Sequence, residues 1–223
     1  MTETLPVQPW MTHPATRTVI AALEAAGGDG CARFVGGCVR NALLRQPVSD
    51  IDIATPLTPD IVTKALTAAG LKAIPTGVDH GTITAVAQGK PFEITTLRRD
   101  VETDGRRAVV AFTTDWAEDA QRRDFRRNAL YADPAGQIYD PTEGGLADVH
   151  AGRIVFVGDA ETRIREDGLR DAFLKRDGLL IKKEDGWLLQ VERKTLDVLL
   201  DKIPWGYSTV SLPWNSYLVF VEW

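Results

Sequence analysis

Two aspartates separated by one residue are the first feature of this sequence with an obvious chemical use. Asp50 and Asp52 flank Ile51 in the segment SDIDIAT, whose alternating apolar and polar residues predict a half-buried strand. Side chains two residues apart in a strand point to the same face, so both carboxylates should project together. Like charges this close repel each other unless a cation lies between them, and Mg²⁺ prefers oxygen ligands. The pair therefore predicts a metal site.

A glycine pair lies upstream of these aspartates. Gly36 and Gly37 separate the predicted strand CARFV from the predicted helix CVRNALLR. A glycine turn at such a place lets backbone N–H groups approach a phosphate, and Arg40 in the helix can add a charge-assisted hydrogen bond. Each element alone is more often structural, since D-x-D pairs and Gly-Gly turns are both common. In the order strand, Gly-Gly, helix, strand with D-x-D, they favour nucleotide and metal chemistry.

The elements that must position these residues follow from periodicity and turn residues. The N-terminal arm is predicted to be irregular as far as Pro14, and the next helix should end at Gly27-Gly28. GTITAVA and PFEITTL are predicted to form a hairpin. Up to residue 170, the remaining predictions are helices over 58–69, 118–129 and 159–170, a mobile loop over 100–115, and strands over 137–139 and 153–157. After residue 170, the predictions are the hairpin GLLIKK/WLLQVE, the helix KTLDVLLDKI and the strands STVSL and SYLVFVEW.

The composition excludes several classes of protein. The chain has 223 residues, of which 44% are hydrophobic and 26% charged, as in a globular protein with a sizeable core. No apolar run is long enough to span a bilayer, and the first residues lack the features of a secretory signal. Two cysteines, Cys31 and Cys38, exclude a disulfide framework and are expected to be buried beside the glycine turn. Reduced thiols and the absence of a targeting signal predict a cytoplasmic location.

Charge and histidine content exclude two further kinds of protein. The net charge of −5 rules out a uniformly basic protein that coats nucleic acid, although a local basic surface remains compatible with it. The three histidines lack the spacing of zinc ligands.

Residue usage changes abruptly near Arg170. Residues 1–170 contain 16 Arg, 3 Lys and 24 Ala, whereas residues 171–223 contain 2 Arg, 5 Lys and 1 Ala. The same C-terminal segment holds 8 of the 17 aromatic residues, including four of the six tryptophans. This change predicts a domain boundary near Arg170.

Several longer motifs occur in a fixed order along the chain. FVGGCVRNALL and SDIDIAT are followed by DHGTITAV, PFEITTLRRD, DGRRAVVAFTTDW, EDAQRRDFRRNALYAD and YDPTEGGLADVHAGRIVFVGDAETRIREDGLR. Over residues 31–170 this series resembles the catalytic region of class II tRNA nucleotidyltransferases (the CCA-adding enzymes) and the related bacterial poly(A) polymerases. The resemblance implies an α/β (α+β) fold, a nucleotidyltransferase head with a mixed sheet and flanking helices. Residues 1–30 would form an N-terminal arm and helix, and residues 171–223 a small Trp-rich α+β segment.

The resemblance also implies roles for individual residues. Asp50, Asp52 and Glu93 would be the catalytic carboxylates, with Asp50 and Asp52 holding Mg²⁺. The implied nucleotide-binding residues are Gly36, Gly37 and Arg40 for the triphosphate; Arg122, Arg123, Asp124 and Asn128 of the RRDF region for the pocket; and Glu166, Asp167 and Arg170 of the EDxxR motif for the Watson–Crick edge of the base. Outside this context, Glu93 would be interpreted as a surface glutamate and EDxxR as an ion pair on a helix.

The implied reaction is the addition of C and A nucleotides from CTP and ATP to the 3′ end of tRNA. One metal ion would activate the primer hydroxyl and another would stabilise the leaving pyrophosphate. Two alternatives remain open. The first is poly(A) synthesis. The second is a binding or interaction protein that consists of a truncated, catalytically weak nucleotide-binding head.

The sequence departs from the family pattern at three places. Asn41 replaces the usual Asp after VR, which is a minor change. Arg126-Arg127 replaces a small polar residue and an apolar one, which would be costly if the second position packs inward unpaired. These arginines could instead bind phosphate, but eight bases and seven acids between Arg98 and Arg127 favour a mixed surface.

The third departure follows Arg170, where the helical region that clamps tRNA in the family does not continue. Residues 171–223 resemble instead the C-terminal segment of proteins encoded with bacterial contractile injection systems, through VERKTLDVLLDKIPW, LPW and VEW. The tryptophans could form a compact core or a surface that docks a protein partner. A net charge of −1 disfavours a third interpretation, stacking on single-stranded RNA.

Overall fold

The protein is described from a computed structural model, which covers residues 3–101, 109–153, 155–158, 180–183, 186–192, 207–212 and 216–222. The chain divides into two compact units, Met1–Val149 and His150–Trp223. Up to residue 151 the elements are α1 (Pro9–Thr12), α2 (Pro14–Gly27), β1 (Arg33–Val35), α3 (Gly37–Leu43), β2 (Asp52–Thr55), α4 (Pro59–Ala68), β3 (Lys72–Gly77), β4 (Thr82–Ala87), β5 (Lys90–Thr96), β6 (Arg98–Val101), β7 (Val109–Phe112), α5 (Trp116–Gln121), β8 (Tyr131–Ala132), β9 (Ile138–Tyr139) and α6 (Gly145–Ala151).

A seven-stranded sheet forms the centre of the first unit, with the strand order β3-β4-β5-β2-β1-β8-β9. Strands β2 and β5 pair in parallel, and the other neighbours pair antiparallel. The sheet is therefore mixed and flanked by helices, which confirms the predicted fold class. The predicted β4–β5 hairpin is also confirmed.

The two faces of this sheet have different environments. Helices α2 and α4 pack against each other and against β4. Alternate side chains of β4 and β5 are buried in the core with these helices, namely Ile83, Ala85, Ala87, Phe92 and Ile94. The residues between them, among them Thr84 and Glu93, are half-buried or exposed. The opposite face of β4 and β5 is therefore the more open one.

The N-terminal arm is more ordered than its prolines indicate. Helix α1 begins at Pro9, and its Trp10 ring meets the Phe34 ring of β1 edge-on, with centroids 4.8 Å apart. Leu5 is fully buried, and its backbone N–H donates to the Gly136 carbonyl at 2.7 Å. The prediction of an irregular arm is wrong because these apolar side chains pack onto the first unit.

Two predictions between residues 98 and 129 are corrected. Strands β6 and β7 form a hairpin within the predicted loop, and the loop residues 102–108 lie outside the described residues. The predicted helix over 118–129 is shorter: it begins after Asp115, whose carboxylate accepts from the Ala117 N–H at 2.7 Å, and it ends at Gln121. Phe125 is buried in an extended conformation, so the chain cannot continue as a helix through this point.

Three further elements differ between the sequence-based prediction and the structure. Strand β3 and helix α6 were not predicted. The strand predicted over 153–157 does not form at the described residues of that segment, where Phe156 makes a single bridge. The helix predicted over 159–170 lies outside the described residues.

The second unit contains a four-stranded antiparallel sheet. Its strands are β10 (Leu180–Lys183), β11 (Gly186–Glu192), β12 (Tyr207–Leu212) and β13 (Ser216–Glu222), in the order β10-β11-β13-β12. The hairpin and both later strands are confirmed, and the predicted helix KTLDVLLDKI lies outside the described residues. Among the residues that can be described, no helix has the length and apolar character needed to cross a bilayer.

Both cysteines are buried, as expected. The Cys38 thiol is 1% exposed and donates to the Val35 carbonyl at 3.2 Å. Burial raises the pKa of Cys38 to about 12 and also raises that of Cys31. Both thiols therefore stay protonated at neutral pH. Because the thiolate is the reactive form of cysteine, both side chains should react slowly.

We expect a disulfide reagent such as dithiobis(nitrobenzoate) to modify neither thiol of the folded protein at a rate comparable with that of a small free thiol. Addition of guanidinium chloride should expose both, and the absorbance of the released thiolate measures the number that react. Rapid modification of either cysteine before the unfolding transition would contradict this prediction.

Candidate nucleotide and metal site

The turn between β1 and α3 has the geometry that the glycine pair predicts. Gly36 has a φ of 73°, in the left-handed region that side chains disfavour. Its N–H donates to the Leu130 carbonyl at 3.2 Å, which ties the turn to the chain entering β8. Among the residues that the structure describes, a Cβ built on Gly37 would contact only the Arg40 guanidinium, at 3.9 Å. These residues therefore leave the space above the turn open to a ligand.

Arg40 connects the glycine turn to the RRDF region. Its Nη1 donates to the side-chain oxygen of Asn128 at 2.6 Å, and Asn128 in turn donates to both carboxylate oxygens of Asp124 at 3.3 Å. The structure thus brings together five of the predicted nucleotide-binding residues, which are Gly36, Gly37, Arg40, Asp124 and Asn128.

Asn41, the first departure from the family pattern, also contacts Arg40. Its side-chain oxygen accepts from Arg40 Nε and Nη2 at 3.1 and 3.0 Å, and its amide nitrogen donates to the Pro47 carbonyl at 3.2 Å. The neutral amide therefore orients the Arg40 guanidinium by charge-assisted hydrogen bonds, which is consistent with a minor change.

Two of the three predicted carboxylates lie side by side on the open face. Asp52 of β2 and Glu93 of β5 are register partners in the parallel pair, so their side chains leave the same face of strands about 4.8 Å apart. Asp50 is exposed and lies just before β2, although the Glu93 N–H donates to the Ile51 carbonyl at 3.2 Å and so extends the pairing toward it. The Ser49 hydroxyl donates to Asp50 at 3.0 Å.

The donor set at this place fits a hard divalent cation. Within the described part of the chain, no three Asp, Glu, His or Cys side chains converge into a complete metal cage. Mg²⁺ does not need one, because it is commonly bound by one or two carboxylates together with water and substrate phosphates. Asp52 and Glu93 on one face, with Asp50 beside them, supply oxygen donors of this kind.

Arg122 and Arg123 do not point to solvent but converge on a carboxylate that the sequence analysis did not single out. Asp119 of α5 is 1% exposed, and it accepts from Arg122 Nη2 at 2.7 Å, Arg123 Nη2 at 2.8 Å and the Tyr131 hydroxyl at 2.7 Å. The oxygen that accepts from Arg122 also accepts from the Arg98 backbone N–H at 3.2 Å. The signal that could have revealed Asp119 is its spacing of three and four residues from the two arginines.

The charge states of this cluster follow from its contacts. Burial alone would raise the pKa of Asp119, but Arg123 and Arg122 bring it down to about 2. At Arg123, burial would lower the pKa, yet Tyr131 and Asp119 raise it. Burial raises the pKa of Tyr131. At neutral pH the cluster therefore holds an ionised Asp119, a neutral Tyr131 and two charged arginines.

A stacked arginine lies beside this cluster. The Arg33 guanidinium lies 4.1 Å from the centre of the Trp116 ring and 3.8 Å from that of Tyr139, and Trp116 meets Tyr131 edge-on at 5.3 Å. Helix α5 therefore covers the sheet face over β1, β8 and β9, whereas Asp52, Glu93 and Thr84 on the same face of β2, β5 and β4 are half-buried or exposed.

In the second departure, Arg126-Arg127, Arg126 is accommodated by pairing. Arg126 Nε lies 2.8 Å from a carboxylate oxygen of Asp148, which is fully buried in α6. Gly145 packs directly beneath this contact, because a Cβ built there would overlap the Arg126 carbonyl oxygen. The pairing gives the buried carboxylate a charged partner and directs Arg126 Nε toward α6. Glu166, Asp167 and Arg170 of the EDxxR motif lie outside the described residues.

Comparison with known proteins identifies the family. The profile of the poly A polymerase head domain matches residues 32–155, which is more than half of the 223 residues. The chain belongs to the poly A polymerase head domain family. This match confirms the resemblance inferred from the motifs. Residues 163–223 match a different profile, that of the contractile injection system tape measure protein, in line with the resemblance of the C-terminal segment.

Relatives in the head domain family are CCA-adding enzymes. The chain is 45% identical over 139 residues to the mitochondrial CCA tRNA nucleotidyltransferase 1 of Danio rerio, and this match covers 62% of the chain and 32% of that protein. It is 45% identical over 154 residues to the CCA-adding enzyme of Oceanobacillus iheyensis, covering 68% of the chain and 37% of the relative. The chain therefore spans about a third of the length of these relatives.

A solved structure in the same family has the same fold. The Bacillus stearothermophilus CCA-adding enzyme in complex with CTP superimposes with a TM-score of 0.61 at 36% identity, covering 74% of this chain and 40% of that protein.

Proposed function

We propose that this chain catalyses the Mg²⁺-dependent addition of C and A nucleotides from CTP and ATP to the 3′ end of tRNA. The observation that carries the proposal is the register of Asp52 with Glu93 on the open sheet face, in the same unit as the glycine turn and Arg40. Family membership supports it, because the relatives are named CCA-adding enzymes and one of them was solved with CTP.

Asp50, Asp52 and Glu93 are the residues that would hold Mg²⁺. The ion would lower the barrier by polarising the reacting phosphate and by favouring deprotonation of the attacking hydroxyl. The contribution of the chain itself is to keep two or three carboxylates on one face, where their mutual repulsion is relieved only by a cation.

The triphosphate would lie over the turn of Gly36 and Gly37. Arg40 is held next to this turn by Asn41 and Asn128, so its guanidinium can bind phosphate without first losing conformational freedom. Arg122 and Arg123, anchored on Asp119, would keep the RRDF turn in place so that Asp124 and Asn128 face Arg40. Glu166, Asp167 and Arg170 are proposed to read the incoming base.

The proposal is tested by incubating the chain with tRNA that lacks its CCA end, Mg²⁺, and labelled CTP and ATP. We expect incorporation of both nucleotides, and the loss of incorporation in the Asp50→Ala/Asp52→Ala variant. Asp60→Ala is the matched control, because Asp60 is an exposed aspartate in the first turn of α4. Long runs of ATP incorporation without CTP would indicate poly(A) synthesis instead.

A second candidate is a nucleotide-binding module that acts through a partner. It is favoured by the match of residues 163–223 to a tape measure protein rather than to a tRNA-binding region. In this case the wild-type chain binds CTP in equilibrium dialysis but incorporates none of it, and residues 171–223 would contact a protein partner. We propose a cytoplasmic location for either function.

A further inference from the structure

A pair of threonine hydroxyls extends the row of polar residues that begins at the carboxylates. Thr84 of β4 is the register partner of Glu93, which is itself the partner of Asp52. The Thr84 hydroxyl lies 2.8 Å from that of Thr76 in β3. The open face thus carries Asp52, Glu93, Thr84 and Thr76 in sequence across four adjacent strands, and it ends at the edge of the sheet.

An irregularity in β3 brings Thr76 to this row. The register of β3 with β4 shifts between Ile74 and Gly77, so β3 contains one extra residue there. Such bulges change the direction of side chains and are frequent next to functional sites. Without the shift, Thr76 would be opposite Thr82 rather than beside Thr84.

The position of the row assigns it to the acceptor rather than to the nucleotide. The glycine turn and Arg40 follow β1, on one side of β2 and β5, whereas Thr84 and Thr76 lie on the other side. A hydroxyl that attacks a phosphate bound over the glycine turn must approach the carboxylates from the free side. In the strand order of this sheet, the free side is β4 and β3.

The chemistry of the row suits ribose and phosphate. A threonine hydroxyl has one proton and two lone pairs, and the Thr76–Thr84 contact uses one proton of the pair, so the pair can still donate and accept. A ribose 2′-hydroxyl also donates and accepts, and it distinguishes RNA from DNA. Lys72, exposed on the same strand as Thr76, supplies a positive charge for the phosphate backbone at the sheet edge.

We propose that Thr84 and Thr76 are positioning residues that bind the sugar–phosphate backbone of the acceptor RNA next to its 3′ end. This inference rests on the proposed function, because it assumes that the carboxylates face an RNA hydroxyl. It goes further by assigning the acceptor to one side of the sheet and by naming the hydroxyls that recognise its ribose.

The test is equilibrium binding of a 5′-fluorescein-labelled RNA hairpin with a single-stranded 3′ overhang to the full chain in Mg²⁺, followed by fluorescence anisotropy. We expect Thr84→Val to raise the dissociation constant for the RNA hairpin about three- to tenfold, because one or two hydrogen bonds are lost. Thr84→Ser should restore it. A hairpin whose overhang is DNA should bind wild type and Thr84→Val equally. Thr18→Val is the matched control, since Thr18 is exposed on α2 and its hydroxyl donates to its own helix at 2.9 Å.

Binding and turnover together separate this inference from the proposed function. If the wild type incorporates nucleotides, Thr84→Val should raise the KM for RNA by the same factor while kcat and the KM for CTP stay unchanged. If it incorporates none but binds RNA in a Thr84-dependent way, the proposed function fails and this inference stands. Equal RNA affinity of wild type, Thr84→Val and Thr76→Val, or no RNA binding at all, would overturn the inference.

Discussion

Replacement of Asp119 by alanine is expected to lower the free energy of unfolding by about 3–5 kcal/mol, the usual cost of removing one partner from a buried ion pair. Asp119 is 1% exposed, and the side chains of Arg122 and Arg123 are only 12% and 17% exposed. Without the carboxylate, two guanidinium groups and the Tyr131 hydroxyl would lose the acceptor that they share while staying largely out of water. Urea unfolding followed by circular dichroism measures the change.

Glu118→Ala is the matched control for this prediction. Glu118 is the adjacent acid on α5, but it is 40% exposed, its ion pair with Arg99 is long at 3.7 Å, and it also accepts a hydrogen bond from the Thr113 hydroxyl. Surface pairs of this kind contribute about 0–1 kcal/mol. Tyr131→Phe removes the hydrogen bond to Asp119 and the one that the hydroxyl accepts from Arg123 Nε at 3.2 Å, and it should cost about 1–3 kcal/mol, which gives a graded result even if Asp119→Ala does not fold. Equal stabilities of Asp119→Ala and Glu118→Ala would contradict the role assigned to this cluster.

Gly145→Ala is expected to destabilise the protein by about 1–3 kcal/mol through overpacking. Its new Cβ would overlap the Arg126 carbonyl oxygen, and a backbone atom cannot move away without displacing the RRDF turn. Gly37 is the matched control for stability, because like Gly145 it is the first residue of a seven-residue helix, and a Cβ there would lie 3.9 Å from the Arg40 guanidinium, an ordinary van der Waals distance.

Thermal unfolding of the two glycine variants measures this difference. Gly145→Ala should melt several degrees below wild type, and Gly37→Ala should stay close to it. The prediction is wrong if the two variants change stability by the same amount, since the contact with the Arg126 carbonyl oxygen would then have no effect of its own.

Elements with regular periodicity could be predicted from the sequence, and irregular ones could not. The alternation in GTITAVA and PFEITTL depends only on one buried and one open face, so the β4–β5 hairpin was found. Strand β3 was missed because it contains Pro75 and Gly77, which weaken the strand signal, although an edge strand with a bulge tolerates both. The helix over 118–129 was predicted too long because nothing local shows that Phe125 is buried in an extended segment.

The site residues also divide into those with a local sequence signal and those whose position depends on long-range packing. Asp50, Asp52, Gly36, Gly37 and Arg40 carry local signals that can be interpreted from the chain alone. Glu93 came only from the resemblance to a family, because the register between β2 and β5 is set by packing over a long stretch of chain. The convergence of Arg122 and Arg123 on Asp119 was missed because a carboxylate inside a charged helix gives no sign of its burial.

The parallel pairing of β2 with β5 also affects how this site comes into existence during folding. Among the described strands it is the one parallel pair, and parallel neighbours must be joined by a crossover, which here comprises α4, β3 and β4. The ends of such a crossover meet only after loop-closure entropy has been overcome, so contacts of this kind form slowly. A chain that has formed only its hairpins therefore has separate acidic side chains and no cation site. Metal affinity would appear together with the complete sheet, and the ion would in turn stabilise the closed crossover.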